Sequence, residues 1–172
     1  LAVADDLLSG LIEVQDGGDR LSADELLAMC FLLLVAGHET TVNLIGNGVL
    51  ALLENPEQMA RLREQPELVG SAVEEMLRYS SPLQMATERY TTPDVELDGV
   101  SIPGGGLVYV VLSAANRDED AFANAPHFDI TRQHNRHLAF GHGIHYCLGA
   151  PLARLEGQIA IRMLLERFRQ ID

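Results

Sequence analysis

Apolar residues recur at i, i+3 and i+4 along most of this chain, which is the spacing that places them on one face of an α-helix. Proline and clusters of polar residues divide the pattern into separate segments. Helices are therefore predicted over residues 1–12, about 22–54, 56–64, about 67–79 and about 148–168. A chain with so much helical spacing is typical of the mainly α class.

The longest of these helices has the clearest signals at its ends. Ser22 and Glu25 form a capping box at its start, and Asn55-Pro56 stops it because proline cannot continue a helix. The stretch Leu26–Ala36 is apolar on every side, which is typical of a helix buried in a larger body. The chain holds little other material to cover this helix. We therefore expect the sequence to be a fragment of a larger domain.

Strict alternation of apolar and polar residues is confined to a short region. Residues 94–102 alternate around Asp98-Gly99 and predict a β-hairpin. Residues 107–112 follow a proline and three glycines and predict a further strand. The expected fold class is thus mainly α with small β-sheets.

Composition excludes several classes of protein. With 172 residues, 47% hydrophobic and 22% charged, the chain resembles an ordinary globular protein. Its net charge is −13, with 18 acidic and 5 basic residues before Val100 and 7 of each from there on, which argues against nucleic-acid binding. Two cysteines make no disulfide framework, and the apolar run Leu26–Gly37 is too short to span a bilayer. We expect a cytoplasmic protein without a membrane anchor.

The densest chemistry lies in residues 140–149, Phe-Gly-His-Gly-Ile-His-Tyr-Cys-Leu-Gly. The glycines leave the backbone free for positive φ and for close approach to a flat ligand. Cys147 lies where this loop turns into the final helix, and a helix N-terminus favours the thiolate, which is the form that binds iron.

Two other interpretations of Cys147 remain open at this point. Most free cysteines are small buried hydrophobic residues, and a glycine-rich turn before a helix is usually only a turn. A zinc site is the second alternative, because several possible ligands lie near the cysteine in sequence. These are His134, His137, His142 and His145.

The segment Ala36-Gly37-His38-Glu39-Thr40-Thr41 interrupts the apolar helix. Gly37 costs the helix about 1 kcal/mol relative to alanine, and Glu39 places a charge in an apolar element. A ligand against the helix would explain both, since small residues let a planar ring approach, and Thr40 can hydrogen-bond to the Ala36 carbonyl. A buried helix with one solvated polar patch would explain the same residues.

Glu75 and Arg78 are spaced i and i+3 on the helix over about 67–79. On an ordinary surface helix such a pair contributes only a few tenths of a kcal/mol. The irregular segments Asn116-Arg117-Asp118 and 126–132 lie between this helix and the cysteine loop.

Taken together, these motifs resemble those of the cytochrome P-450 family. The pattern Phe-x-x-Gly-x-His-x-Cys-x-Gly matches the family's haem-binding signature at every fixed position. Residues 36–41 are similar to its oxygen-binding segment, and Glu75-x-x-Arg78 to its near-universal structural pair. The motifs occur in the family's order, and zinc would leave the last two unexplained. The chain is most similar to soluble bacterial members that hydroxylate polyketides and macrolides. The resemblance implies that it is the C-terminal, haem-binding part of a larger single domain.

The resemblance implies a haem b group (iron protoporphyrin IX) with Cys147 as the axial ligand of the iron. Arg89 and His145 would then pair with the haem propionates. Other residues are expected to line the haem, and these are Phe140, Gly141, Gly143, Gly149, Ala36 and Gly37.

The resemblance also assigns the remaining motif residues. Glu39 and Thr40 would form the acid–alcohol pair that relays protons during oxygen activation. Glu75 and Arg78 would be structural, completed by a third residue from the segment before the cysteine loop. His127 stands where members of the family often have that arginine.

The implied activity is monooxygenation, in which one atom of O2 enters a C–H bond of a small organic substrate, here in secondary metabolism. Reducing equivalents from NAD(P)H would arrive through a ferredoxin reductase and a ferredoxin, which would dock near Arg132, Arg136 and Arg154. Two alternatives remain. One is a haem-binding sensor or carrier without turnover, and the other is a truncated fragment without a function of its own.

Overall fold

The computed structural model describes residues 6–15 and 21–171, and it is mostly helical with two small antiparallel sheets. The helices are α1 (Leu7–Gln15), α2 (Ala23–Glu54), α3 (Pro56–Glu64), α4 (Val69–Tyr79), α5 (Leu112–Ala115) and α6 (Ala150–Arg167). The strands are β1 (Arg89–Tyr90), β2 (Val95–Leu97), β3 (Val100–Ile102) and β4 (Leu107–Val108). Short 3₁₀ turns occupy Pro66–Leu68 and Gly143–His145. Part of the helix predicted over residues 1–12 lies outside the described residues.

Local sequence signals account for the ends of α2 and α3. The Ser22 backbone N–H donates to the Glu25 carboxylate over 2.7 Å, and the Glu25 N–H donates to the Ser22 hydroxyl over 3.3 Å. This reciprocal pair is the capping box that starts α2. Pro56 lies in the first turn of α3, where its missing N–H leaves no helical hydrogen bond unmade.

The two sheets differ in how well the sequence predicts them. Strand β2 pairs with β3, and the turn between them contains Asp98 and Gly99, both at positive φ, as a two-residue hairpin turn requires. Strand β1 pairs with β4. The strand predicted over residues 107–112 is too long, because β4 ends at Val108 and Leu112 begins α5. A short apolar run suits either a strand or a buried helix, and burial of Leu112 decides for the helix.

The chain divides into two compact units, one up to Thr40 and the other from Thr41 onward. In the first unit the apolar side chains of α2 are largely exposed, including those of Leu27, Phe31 and Leu34. By length and composition α2 could cross a membrane, and the core helix of a soluble protein meets the same test. The shorter run Leu26–Gly37, from which the absence of a span was predicted, is only part of this helix.

The core of the second unit forms where α4 and α6 pack against the later part of α2. Gly157 on α6 permits this approach, because a Cβ there would meet Leu44 at 3.1 Å and Val73 at 3.3 Å. The buried core also contains Leu52, Leu62, Met76, Leu77, Phe128, Ile130 and Ile161. Burial of these side chains supplies most of the stabilisation of the unit.

A fully buried carboxylate lies beside this core. Glu75 on α4 is 0% exposed, and its oxygens accept hydrogen bonds from Arg78 at 2.7 and 2.8 Å. Arg132 donates to the same carboxylate over 3.1 Å and Asn135 over 3.0 Å. The Asp129 backbone N–H adds a further bond of 2.9 Å. The buried negative charge is thus neutralised by two guanidinium groups, as a charge removed from water requires.

Arg78 carries the same network to the irregular segment between α5 and the cysteine loop. It donates to the carbonyl oxygens of Asn116, Ala125 and His127 over 2.9 to 3.0 Å. His127 therefore takes part through its backbone, and its side chain is exposed. The structure places Arg132, not the His127 side chain, as the third charged member beside Glu75.

Candidate functional site

The cysteine loop, residues 140–149, is closed by its own backbone. The Cys147 N–H donates to the Phe140 carbonyl over 3.0 Å. Between these residues Gly141 and Gly143 have φ values of 72° and 79°, a region that favours glycine. The sequence therefore builds a tight loop that ends at the thiol.

Cys147 itself is a free and exposed thiol. Helix α6 begins at Ala150 with Gly149 as its N-cap, and the Cys147 carbonyl accepts the Ala150 N–H over 3.3 Å. The thiol thus lies just before the helix, which begins at Ala150 and not at about residue 148 as predicted. Within the described part of the chain, Cys147 is therefore not a small buried hydrophobic residue.

The surface around the thiol is apolar. Ile144 is 97% exposed and Leu148 is 91% exposed, one on each side of Cys147 in the chain. At Gly149 a Cβ would lie 3.9 Å from the Cys147 sulfur, an ordinary van der Waals contact, so Gly149 lies directly beside the thiol. A soft sulfur donor among exposed apolar side chains fits a flat, largely apolar ligand that carries a metal ion. These residues therefore fit a haem group.

The zinc alternative is not supported by the positions of the histidines. In residues 6–15 and 21–171, no three His, Cys, Asp or Glu side chains are grouped closely enough to hold a metal ion. His137 is instead hydrogen-bonded within the protein. Its Nδ1 accepts the Ala139 N–H over 3.2 Å, which leaves Nε2 to donate to Glu74 over 3.1 Å.

Glu74 on α4 joins His137 to Arg154 on α6. Arg154 binds both carboxylate oxygens of Glu74, with its Nε at 2.7 Å from one and its Nη2 at 3.0 Å from the other. We refer to Glu74, His137 and Arg154 as the Glu74 cluster. It connects two core helices to the residues just before the cysteine loop.

The charge state of Glu74 follows from these contacts. Partial burial raises the pKa of its carboxyl group, but the hydrogen bonds from His137 and Arg154 and the positive charge of Arg154 outweigh this and lower the pKa from 4.5 to about 2. The hydrogen bonds to Glu74 raise the pKa of Arg154 above its ordinary value in turn. The pair is therefore fully ionised near neutral pH.

Arg154 also touches both ends of the closed loop. Its guanidinium lies 4.6 Å from the centre of the Phe140 ring, and its Nη1 donates to the Tyr146 hydroxyl over 3.1 Å. The Phe140 and Tyr146 rings are 6.3 Å apart in an edge-on arrangement. Glu74 and Arg154 were not assigned these contacts by the sequence analysis, whose nearest signal was the position of Glu74 next to Glu75.

Asn116 links the loop to the buried Glu75 network. Its side-chain oxygen accepts the Leu138 N–H over 2.6 Å, and its backbone carbonyl accepts a hydrogen bond from Arg78. Asn116 is completely buried. The backbone entering the cysteine loop is therefore held by the network centred on Glu75.

Two of the three arginines expected to face a ferredoxin are occupied inside the protein. Arg132 binds Glu75, and Arg154 binds Glu74. Arg136 is exposed, and it forms no hydrogen bond or ion pair within the described part of the chain. The expected docking surface thus retains one fully available cation of the three.

The segment Ala36–Thr41 lies on α2, which remains helical throughout it. The Thr40 hydroxyl donates to the Ala36 carbonyl over 2.6 Å, so the predicted hydrogen bond is confirmed. A Cβ at Gly37 would find no atom within 4 Å, and Glu39 is exposed. This face of the helix has room for a bulky neighbour.

Arg89 and His145, the expected propionate partners, are both exposed. Arg89 donates to the Glu88 carbonyl over 3.0 Å, to the Thr87 carbonyl over 3.2 Å and to the Thr87 hydroxyl. His145 ends the 3₁₀ turn inside the cysteine loop. Their roles remain predictions.

Comparison with known proteins gives consistent matches. The family model described as Cytochrome P450 matches residues 2–171. Cytochrome P450 107B1 of Saccharopolyspora erythraea is 60% identical over 95% of this chain, and Vitamin D(3) 25-hydroxylase of Pseudonocardia autotrophica is 58% identical over 93%. The solved structure of the bacillaene polyketide synthase cytochrome P450 PksS of Bacillus subtilis has a TM-score of 0.91 at 49% identity over 97% of this chain.

These matches cover only part of each known protein. The chain spans 40% of the length of each of the two sequence relatives and 43% of the solved structure. The likeness in three dimensions confirms the predicted fold class.

The pKa of Glu74 generates a prediction about stability and pH. The folded-state pKa lies below the ordinary value, so the Glu74 cluster stabilises the folded protein fully above pH 4.5 and loses this effect as the pH falls toward 2. In the full-length protein, the difference in free energy of unfolding between wild type and Glu74→Gln should be constant above about pH 5 and shrink below it. Denaturant titrations at several pH values measure this difference, with the exposed Glu67→Gln as the control. A difference that stays constant to about pH 3 would contradict the assignment.

Proposed function

Because the chain belongs to the cytochrome P450 family, we propose that the full-length protein containing it is a haem-thiolate monooxygenase. It inserts one atom of O2 into a C–H bond of a small organic substrate. The observation that carries this proposal is the exposed Cys147 thiol, presented by a closed loop between exposed Ile144 and Leu148. An exposed thiol between exposed apolar side chains is better explained by binding of a large planar ligand than by a structural role of the cysteine in packing.

In this proposal Cys147 binds the haem iron as a thiolate. Gly141, Gly143 and Gly149 let the loop lie close to the ring, and Phe140 packs beside it. Arg89 and His145 bind the propionates, since donors of this kind match carboxylates. When bound, haem with a thiolate ligand supplies oxygen activation, because the thiolate donates electron density that favours O–O cleavage.

We assign proton delivery to Glu39 and Thr40. The Thr40 hydroxyl donates to the Ala36 carbonyl and therefore presents its lone pairs outward, where they can accept a hydrogen bond. Glu39 is an exposed carboxylate on the adjacent position and can exchange a proton with water. Ala36 and Gly37 leave room on the helix for the haem edge and a small molecule.

The substrate and the partners follow from the relatives by analogy. The names of two relatives refer to vitamin D(3) hydroxylation and to polyketide synthesis, so we propose an apolar substrate of secondary metabolism. We also propose that electrons pass from NAD(P)H through a ferredoxin reductase and a ferredoxin. Arg136 is the exposed cation that an acidic ferredoxin would meet near the loop. A cytoplasmic location agrees with the free thiols of Cys30 and Cys147.

Replacing the thiol tests the proposal directly. In the full-length protein, Cys147→Ser should lose the strongly red-shifted Soret band of the reduced carbon-monoxide complex, because a neutral hydroxyl is a poor iron ligand. Product formation should collapse with it. Cys30→Ser is the matched control and should keep both. A red-shifted band in Cys147→Ser would refute the axial role, and a wild-type protein without that band would favour a sensor or carrier with another ligand.

Thr40→Ala tests the proton role separately from haem binding. Loss of the hydroxyl should disturb proton delivery, so that reductant is still consumed while peroxide replaces much of the hydroxylated product. The ratio of product formed to reductant consumed should fall by about tenfold or more. The carbon-monoxide spectrum and the substrate affinity should change little. The ratio of product formed to reductant consumed is the measurement, with Thr41→Ala as the neighbouring control. An unchanged ratio would show that Thr40 has no part in proton delivery.

A further inference from the structure

We propose that Arg154 is a positioning residue that holds the cysteine loop in the shape that presents Cys147. This inference rests on the proposed function, because the task of the loop there is to offer a thiolate to haem iron. The resemblance suggested a different role for Arg154, as a surface cation for a ferredoxin. Its contacts in the structure point to the loop instead.

Arg154 touches the cysteine loop at the point where the loop closes. The hydrogen bond from the Cys147 N–H to the Phe140 carbonyl closes the loop, and Arg154 contacts a residue at each side of that closure. Its guanidinium packs on the Phe140 ring and donates to the hydroxyl of Tyr146, the residue directly before the cysteine. One side chain thus fixes both ends of the segment that carries the thiol.

Arg154 is itself held in place by an ion pair with Glu74. A planar guanidinium that binds both oxygens of a carboxylate makes the strongest common type of side-chain ion pair. Glu74 supplies that carboxylate from α4, and Glu74 also accepts a hydrogen bond from His137, which is almost completely buried. Because α4 and α6 pack together in the core, the position of the loop is tied to the buried core of the unit.

Little of the Arg154 guanidinium remains free to bind a partner protein. Its Nε, Nη1 and Nη2 are all engaged within the protein, and its side chain is 31% exposed. Arg136 is exposed and makes no hydrogen bond or ion pair with any other residue that the structure describes. Arg136 is therefore the matched control for loss of a positive charge near the loop.

The test uses the full-length, haem-loaded protein with Arg154→Gln, Arg154→Lys and Arg136→Gln. Three quantities are measured, namely the fraction of the reduced carbon-monoxide complex with the red-shifted Soret band, the rate of haem transfer to an apo-globin acceptor, and the KM for reduced ferredoxin. Arg154→Gln should release haem about tenfold faster or more and lose part of the red-shifted band, because charged hydrogen bonds are broken. In both haem readouts Arg154→Lys should lie between wild type and Arg154→Gln, since an ammonium cannot bind both carboxylate oxygens in the same plane. Arg136→Gln should match wild type in both haem readouts.

Each other outcome counts against the proposal. Wild-type spectra and haem release in Arg154→Gln would overturn it, and a raised ferredoxin KM with unchanged haem readouts would assign Arg154 to docking. If Arg154→Gln does not fold, Arg154→Lys decides, because a purely structural role would lower its stability without altering the spectrum or haem release. A wild-type protein that lacks the red-shifted band would refute the proposed function itself, which is a separate result.

Discussion

The structure depends on one buried carboxylate. Glu75 is removed from water, and a carboxylate in that position is stable only when positive charge and hydrogen-bond donors surround it. Arg78 and Arg132 supply the charge, and Asn135 and the Asp129 backbone supply further donors. The chain between α5 and the cysteine loop has almost no regular secondary structure. These hydrogen bonds therefore hold its backbone in place, as the backbone hydrogen bonds of a helix or sheet would do elsewhere.

The neighbouring carboxylate, Glu74, binds residues beside the cysteine loop. Consecutive residues of an α-helix point in directions about 100° apart, so Glu74 and Glu75 face different parts of the protein from one turn of α4. Glu75 holds the irregular segment, and Glu74 holds His137 and Arg154 beside the cysteine loop. Asn116 connects the Glu75 network to the residue after His137, because its carbonyl accepts a hydrogen bond from Arg78 and its side chain accepts one from the Leu138 backbone. The exposed thiol therefore owes its position to buried charge on a single helix.

Sequence reasoning succeeded where the cause is local. A capping box and an Asn-Pro step bound α2, an Asp-Gly turn makes the hairpin, and a contiguous motif identifies the cysteine loop. It failed where the cause is distant. Arg132 meets Glu75 across 57 positions and Arg154 meets Glu74 across 80, and neither pairing leaves a periodic signal. The start of α6 was predicted about two residues too early, because the capping role of Gly149 depends on backbone angles that composition does not reveal.

Native-state hydrogen exchange tests the central claim most directly, namely that the Glu75 carboxylate holds the backbone leading to the thiol. The comparison is between full-length wild type, Glu75→Gln and the exposed control Glu67→Gln. The account predicts that Glu75→Gln exposes the amides of residues 116–138 and of the cysteine loop to exchange, while α3 keeps its protection and the control behaves as wild type. Unchanged protection of residues 116–138 in Glu75→Gln would contradict it.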